Sequence, residues 1–232
     1  MRNRFGTTEV GPHDVICESN VIHDVNLGAD NLGEGLYYIG TYKCYAVNNT
    51  IYNCKLEGCC LDSGCIGTWF YGNEIYNTGT IGGLPGLSID NGIYNFVDSN
   101  YIHDNSCDGV KFVRTGDANL VVNNTLTDNS RNLAGSQVSS GVDIEPLAVE
   151  PGDYGLLDGY GSDGNIIMGN IISGHSCGVY VAEDSETGTS IENVVKDNTI
   201  SATGTYYKGT MWLIDFSSGT FNRMYESENT LQ

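Results

Sequence analysis

The chain has 232 residues, with 31 glycines, four prolines and a formal net charge of −19. No basic stripe offsets that charge, which argues against a nucleic acid partner, and no apolar run approaches the ~18 residues of a membrane-spanning helix. Abundant glycine and asparagine with few helix-forming runs predict short strands joined by tight turns. Acidic surfaces of this kind aid solubility and can collect divalent cations.

The first residues, Met1 to Glu9, are polar and lack the apolar core of a signal peptide. From Asn20 onward one local pattern recurs. Asn20, Asn49, Asn73, Asn100, Asn124, Asn170 and Asn198 are each followed two residues later by an aliphatic residue, Ile22, Ile51, Ile75, Ile102, Leu126, Ile172 and Ile200. A glycine then opens a short apolar alternation: Gly35, Gly58, Gly86, Gly109, Gly141, Gly178 and Gly209. The asparagines are 29, 24, 27, 24, 46 and 28 residues apart. A period of this length predicts a solenoid of stacked coils, because no single coil can bury its own apolar face. The whole chain, 1–232, reads as one elongated domain of about seven coils at ~4.8 Å each.

Each coil reads as up to three strands. One follows the asparagine, as at Asn73-Glu74-Ile75-Tyr76-Asn77. A second follows the glycine, as at Gly109-Val110-Lys111-Phe112-Val113. A third precedes the next asparagine, as at Asn119-Leu120-Val121-Val122. Alternation turns Ile75, Val110 and Phe112 inward. The asparagine is expected at a bend, its amide bonding the coils on either side, with a backbone that Asn tolerates in the left-handed region. The eight cysteines form no CxxC pair. Cys107 and Cys177 are expected to share a register two coils apart, near 10 Å and too far to bridge, so free, buried thiols are expected. At the other end Asn229, Thr230 and Leu231 restart the repeat. The chain is therefore expected to be a fragment, with further coils or an oligomer partner covering its open ends. On that reading an extracellular, cell-surface or virion-surface location is expected.

The outward positions of the glycine strands form two columns. Two residues after the glycine stand Tyr37, Cys60, Ser88, Lys111, Asp143, Tyr180 and Met211; four after it stand Ile39, Asp62, Asp90, Val113, Glu145, Ala182 and Leu213. The middle coils thus gather Asp62, Asp90, Asp143 and Glu145 around Lys111, with Arg114 at the edge. A long Gly-rich segment, Pro146 to Gly164, leaves directly from Glu145 and carries Glu150, Asp153, Tyr154, Asp158, Tyr160 and Asp163. Insertions of this length in solenoids gather on the binding face. On the asparagine strands the outward column is His23, Tyr52, Tyr76, His103, Thr127 and Ser173. Stacked aromatics there could pack on sugar rings, or simply reflect the β propensity of tyrosine. His23 and His103 are separated along this column and are not expected to act together.

The sequence Asn-x-Ile, a turn, then Gly-x-apolar-x-apolar resembles the right-handed parallel β-helix repeat of the pectin-lyase-like superfamily, which includes pectate lyases, polygalacturonases, alginate lyases, mannuronan epimerases and phage tailspikes. The resemblance covers residues 15 to 216. It implies an all-β, right-handed parallel β-helix and a carbohydrate-active protein acting on an acidic polysaccharide. By analogy with the lyases of this superfamily it further implies β-elimination, with Lys111 as base, Arg114 as carboxylate clamp and calcium held by Asp62, Asp90, Asp143 and Glu145. Ser88, Tyr52, Tyr76, Tyr160 and Tyr180 would contact substrate. Two alternatives remain on the same residues. A glycoside hydrolase could use Asp143 and Glu145, which point the same way about 6.5 Å apart on strand geometry. A tailspike- or adhesin-like β-helix would bind polysaccharide without chemistry.

Overall fold

The computed structural model describes residues 11–26, 28, 33–81, 83–113, 116–129, 139–145, 162–181, 192–202, 211–213, 223–224 and 230–231. For Glu145, Ala202 and the last three segments only the backbone is described. Within these residues the chain is a right-handed parallel β-helix. Twenty-three strands stack into three parallel sheets of eight, eight and seven strands, every pairing joining one coil to the next.

One coil shows the plan. Phe96–Asp98 lies in a first sheet, Tyr101–His103 in a second and Val110–Val113 in a third. We call these the lead wall, the Asn wall and the Gly wall. The strands of the lead and Asn walls are two to five residues long, and the two walls meet at a tight bend. In the coil running from Tyr94, that residue, Ser99 and Asp104 take positive φ near 55° just before Asn95, Asn100 and Asn105. Short polar side chains reach this left-handed region at least cost, so the backbone turns twice within ten residues.

Those turns leave backbone groups for side chains to satisfy. The repeating asparagine does so between coils. Asn73 donates its backbone N–H and its Nδ2 to Asn100 Oδ1, both at 2.9 Å, and Asn100 repeats this to Asn124 at 2.9 and 3.0 Å. Asn100 Nδ2 also donates to the Phe70 carbonyl at 2.9 Å. The ladder runs from Asn20 to Asn198. Two further ladders flank it, each five residues away in sequence. One is Thr68–Asn95–Asn119–Asn165–Asn193. The other is Thr78–Asn105–Asn129–His175.

The repeating glycine has a different cause. A Cβ at Gly58 would lie 2.3 Å from Ile75 Cγ2, and one at Gly141 would lie 2.3 Å from Ile172 Cγ2. The Asn-wall isoleucine of the next coil therefore occupies the volume that a side chain would need. This close approach links the two halves of the repeat, and it needs no unusual backbone. The interior is filled by one residue from each of the lead and Asn walls and two from the Gly wall, such as Val97, Ile102, Val110 and Phe112, all fully buried.

None of the eight cysteines is in a disulfide, and seven of them are buried. Cys177 pairs with Ser140, the residue just before Gly141, whereas Cys107 stands two before Gly109. The expected shared register of these two is thus off by one. Thr230 and Leu231 pair with Thr199 and Ile200 and open an eighth rung of the Asn wall. No helix among the described residues is long and apolar enough to cross a membrane.

Candidate functional site

The Gly wall realises the first outward column as far as Tyr180. Tyr37, Cys60, Ser88, Lys111, Asp143 and Tyr180 are consecutive cross-strand partners. The expected seventh member is corrected by one residue: Tyr180 pairs with Trp212, and Met211 pairs with the inward Val179. Counting two residues on from Gly209 therefore misses the register by one.

This outward column is not an open face. Ser88 is 2% exposed, Asp143 6% and Cys60 8%. Lys111 Nζ meets Asp143 Oδ2 at 2.9 Å, with the lysine side chain 21% exposed. A contact of this length in a largely enclosed setting is a charge-assisted pair. Ser88 lies one rung below Lys111 and Tyr180 one rung above Asp143. Among the described residues the Ser88 hydroxyl has only the neighbouring Cys60 thiol for company.

The second column separates what the sequence had grouped. Asp62 and Asp90 are adjacent rungs, but Val113 stands between Asp90 and Glu145. Asp143 belongs to the other column, three rungs above Asp62, or roughly 14 Å along the axis. Asp62 is also fully engaged: Tyr37 donates its hydroxyl to Oδ2, and Ser63 Oγ donates to Oδ1 at 2.6 Å. Burial, reinforced by the Asp62 carboxylate, pushes the Tyr37 hydroxyl far above its ordinary range, so it remains a donor. The expected calcium cage of Asp62, Asp90, Asp143 and Glu145 is therefore not assembled: a 4.8 Å rung spacing cannot bring four such positions onto one cation at the 2.3–2.6 Å that calcium needs. No group of three or more His, Cys, Asp or Glu converges on a metal position among the described residues. Arg114, Tyr160 and the segment 146–161 lie outside the described residues, as does the side chain of Glu145.

Two residues that sequence reasoning passed over stand beside Lys111. Asp108 is 1% exposed; its Oδ1 accepts the Ser140 N–H at 2.6 Å and its Oδ2 accepts the Cys107 thiol at 3.2 Å. The Cys107 thiol is pushed up by burial and by Asp108, and it feels both Lys111 and Asp143. The available signal was an acid directly before a repeat glycine, a feature shared with Glu57 before Gly58. Burial raises the Glu57 carboxyl as well.

The Asn wall carries the second candidate surface. His23, Tyr52, Tyr76 and His103 form one continuous stack, with ring centroids 5.0, 4.9 and 5.0 Å apart and planes within 10°. The two histidines are thus ends of one array, each anchored through Nδ1 to the next carboxylate, Asp24 at 2.8 Å and Asp104 at 2.9 Å. The faces of Tyr52 and Tyr76 are turned toward neighbouring rings. Ring edges and hydroxyls remain for hydrogen bonding.

With this geometry in place the relationships are clear. The chain belongs to the family described as "Right handed beta helix region", whose model matches residues 8–147, and a second model, "Periplasmic copper-binding protein (NosD)", matches residues 85–223. Comparison with curated proteins finds no match. Among solved structures, the Azotobacter vinelandii mannuronan C-5 epimerase AlgE4 A-module is similar at 16% identity and a TM-score of 0.64, covering 95% of this chain and 58% of that one. The periplasmic alginate epimerase AlgG is similar at 16% identity and a TM-score of 0.58, covering 95% and 46%. The Dettilon tailspike protein is similar at 15% identity and a TM-score of 0.61, covering 93% and 46%. The chain thus spans about half the length of these proteins, and the likeness is one of fold. Copper does not fit the residues described within 85–223. His175 Nε2 is taken by Asn129 Nδ2 at 3.1 Å inside a ladder, and His103 lies on the Asn wall whereas Cys177 lies on the Gly wall.

Proposed function

We propose that this chain is a polysaccharide-associated β-helix protein that takes an acidic polysaccharide along its Gly wall, where Lys111 meets a uronate carboxylate. The observation that carries this reading is the enclosed Lys111–Asp143 pair at 2.9 Å, with a buried serine hydroxyl below and a tyrosine above. An ammonium in such a place is a specific receptor for one carboxylate on a chain whose net charge of −19 repels polyanions elsewhere. The epimerases among the structural neighbours act on such polymers by name, which supports the substrate class and an extracellular or envelope location.

The same pair can carry β-elimination without a metal. Paired to Asp143, Lys111 is charged and is no base. For the chemical step the lysine proton passes to Asp143, which turns the ion pair into a neutral amine and a neutral acid. The neutral amine then removes the C5 proton. The electron pair passes through the carboxylate-stabilised carbanion to form the C4–C5 double bond, and the C4–O bond breaks. Asp143 returns its proton to the leaving oxygen, so the resting ion pair is regenerated.

The test is retention on, and ultraviolet product release from, pectate, alginate and related polyuronates. Lys111→Ala is expected to weaken retention at least about tenfold, the weight of one charge-assisted contact, and to remove any unsaturated product. Retention without product in the native protein would leave a binding role alone. Undiminished retention by Lys111→Ala would end the assignment of this wall.

A further inference from the structure

The Gly wall is charged unevenly along its length. Its first three strands, Leu36–Ile39, Cys59–Asp62 and Leu87–Asp90, carry no lysine or arginine, and Lys111 on the fourth is the first cation met on them. Arg114 follows Val113, the last residue of that fourth strand. Lys55 stands in the corner before Gly58, at the opposite end of the strand from Asp62, and donates to the Gly28 carbonyl at 2.7 Å. Asp62 lies two rungs below Lys111, roughly 10 Å along the axis. Its partners are the Tyr37 hydroxyl and Ser63 Oγ, and neither carries a positive charge to offset it. Tyr37, one rung lower, is 46% exposed. Burial pushes up the Cys60 thiol beside them, and the Glu57, Asp62 and Asp90 carboxylates push it further, so the field over these rungs is negative.

We propose that the uronate held at Lys111 is followed, toward the first coil, by an uncharged sugar unit at the Tyr37–Asp62 pair, so that the preferred polymer carries isolated uronates and not an unbroken run of them. This rests on the reading of Lys111 as the uronate receptor. A chain lying along the wall crosses one rung every ~4.8 Å, so the units on that side of the uronate lie over Asp90 and Asp62. In an unbroken polyuronate they bring further carboxylates onto these acids, and like charges so placed repel. An uncharged unit brings hydroxyls without a charge, and the exposed ring of Tyr37 gives it a surface to pack on. Asp62 is therefore the group that separates the two kinds of polymer, by an unfavourable contact with the fully charged one. It takes no part in the proton transfers between Lys111 and Asp143, so replacing it changes which polymer is preferred and leaves the receptor in place.

The test is retention on polygalacturonate and alginate, each compared fully charged and partly methyl-esterified, a change that removes carboxylate charge and keeps the backbone. On the backbone that is retained, the native protein is expected to hold the partly esterified form about fivefold more tightly, the upper range for one exposed charge contact. Raising the salt concentration should shrink that preference. Asp62→Asn should remove it and Asp62→Glu should keep it, with circular dichroism showing the β-helix intact in both. Lys111→Ala should weaken retention of both forms. Undiminished retention by Lys111→Ala, or no retention by the native protein, ends the assignment of the Gly wall and this inference with it. Retention that depends on Lys111 but is strongest on the fully charged form overturns this inference alone. So does a preference for the ester that is indifferent to salt or survives in Asp62→Asn.

Discussion

The bend between the lead and Asn walls holds an asparagine on every rung from Asn20 to Asn198, whereas the positions five residues to either side change along the stack. They read Val15 and Val25, Cys44 and Cys54, Thr68 and Thr78, Asn95 and Asn105, Asn119 and Asn129, then Asn165 and His175. Over the first five rungs the flanks therefore pass together from apolar, through thiol and hydroxyl, to amide; at the last two the second flank is His175 and then Thr203, beside Asn165 and Asn193. The difference lies in how many groups each rung must satisfy. At the middle bend the amide serves the preceding coil's bend through Oδ1 and a lead-wall carbonyl of that coil through Nδ2, as Asn124 does for Asn100 and for Val97. Its Nδ2 also donates to Asn170 Oδ1, and a hydroxyl, with a single proton, cannot serve both of these acceptors. On the flanks Thr78 donates its N–H and its Oγ to Asn105 Oδ1 at 3.0 and 2.8 Å and lies fully within the core.

The largest effect is expected from breaking the middle ladder. Asn100→Ala removes the acceptor of Asn73 and the donor to Phe70, leaving buried groups unsatisfied at about 1–3 kcal/mol each, or on the order of 4 kcal/mol in all. Urea denaturation checks it; a loss under about 1 kcal/mol would show the ladder to be ornamental.

The next effect concerns the one imidazole rung. Burial lowers the His175 pKa from 6.5 to about 4, so the folded state resists a proton that the unfolded chain accepts. Stability from this group is complete above about 6.5 and falls by about 1.4 kcal/mol per pH unit as pH drops toward 4. His175→Asn, which installs the residue found at Asn105 and Asn129, should flatten that loss relative to wild type. Equal pH profiles for the two proteins between 4 and 6.5 would refute the neutral-imidazole rung.

The smallest effect is expected from extending the flank. Thr78→Asn copies the rung above it and should shift stability by less than about 1 kcal/mol in either direction. A larger loss would show that the early coils have no room for an amide.

Much of this was legible in the chain. The asparagine and the glycine marked the bend and the close approach, and the inward residues Ile75, Val110 and Phe112 are all fully buried. The flanking ladders were legible too, in the five-residue spacing of Asn95, Asn100 and Asn105, but their members change identity along the stack and hide the period. The site was half legible. The column through Ser88, Lys111 and Asp143 follows from counting along strands. Asp108 was hidden because it sits in a corner, where alternation gives no direction to a side chain.

What the sequence determined by itself was the coil: a residue tied to its own neighbours by a bend, a glycine or a strand alternation announces itself locally. What only the tertiary structure decided was the relation between coils. It set which carboxylates share a rung and which are kept apart by Val113. It also closed the faces of Tyr52 and Tyr76 against their neighbours, and it placed Met211 in register with an inward valine rather than with Tyr180. These are properties of stacking, in which one residue gained or lost in a corner shifts every partner above it, and no local pattern counts the residues of a corner.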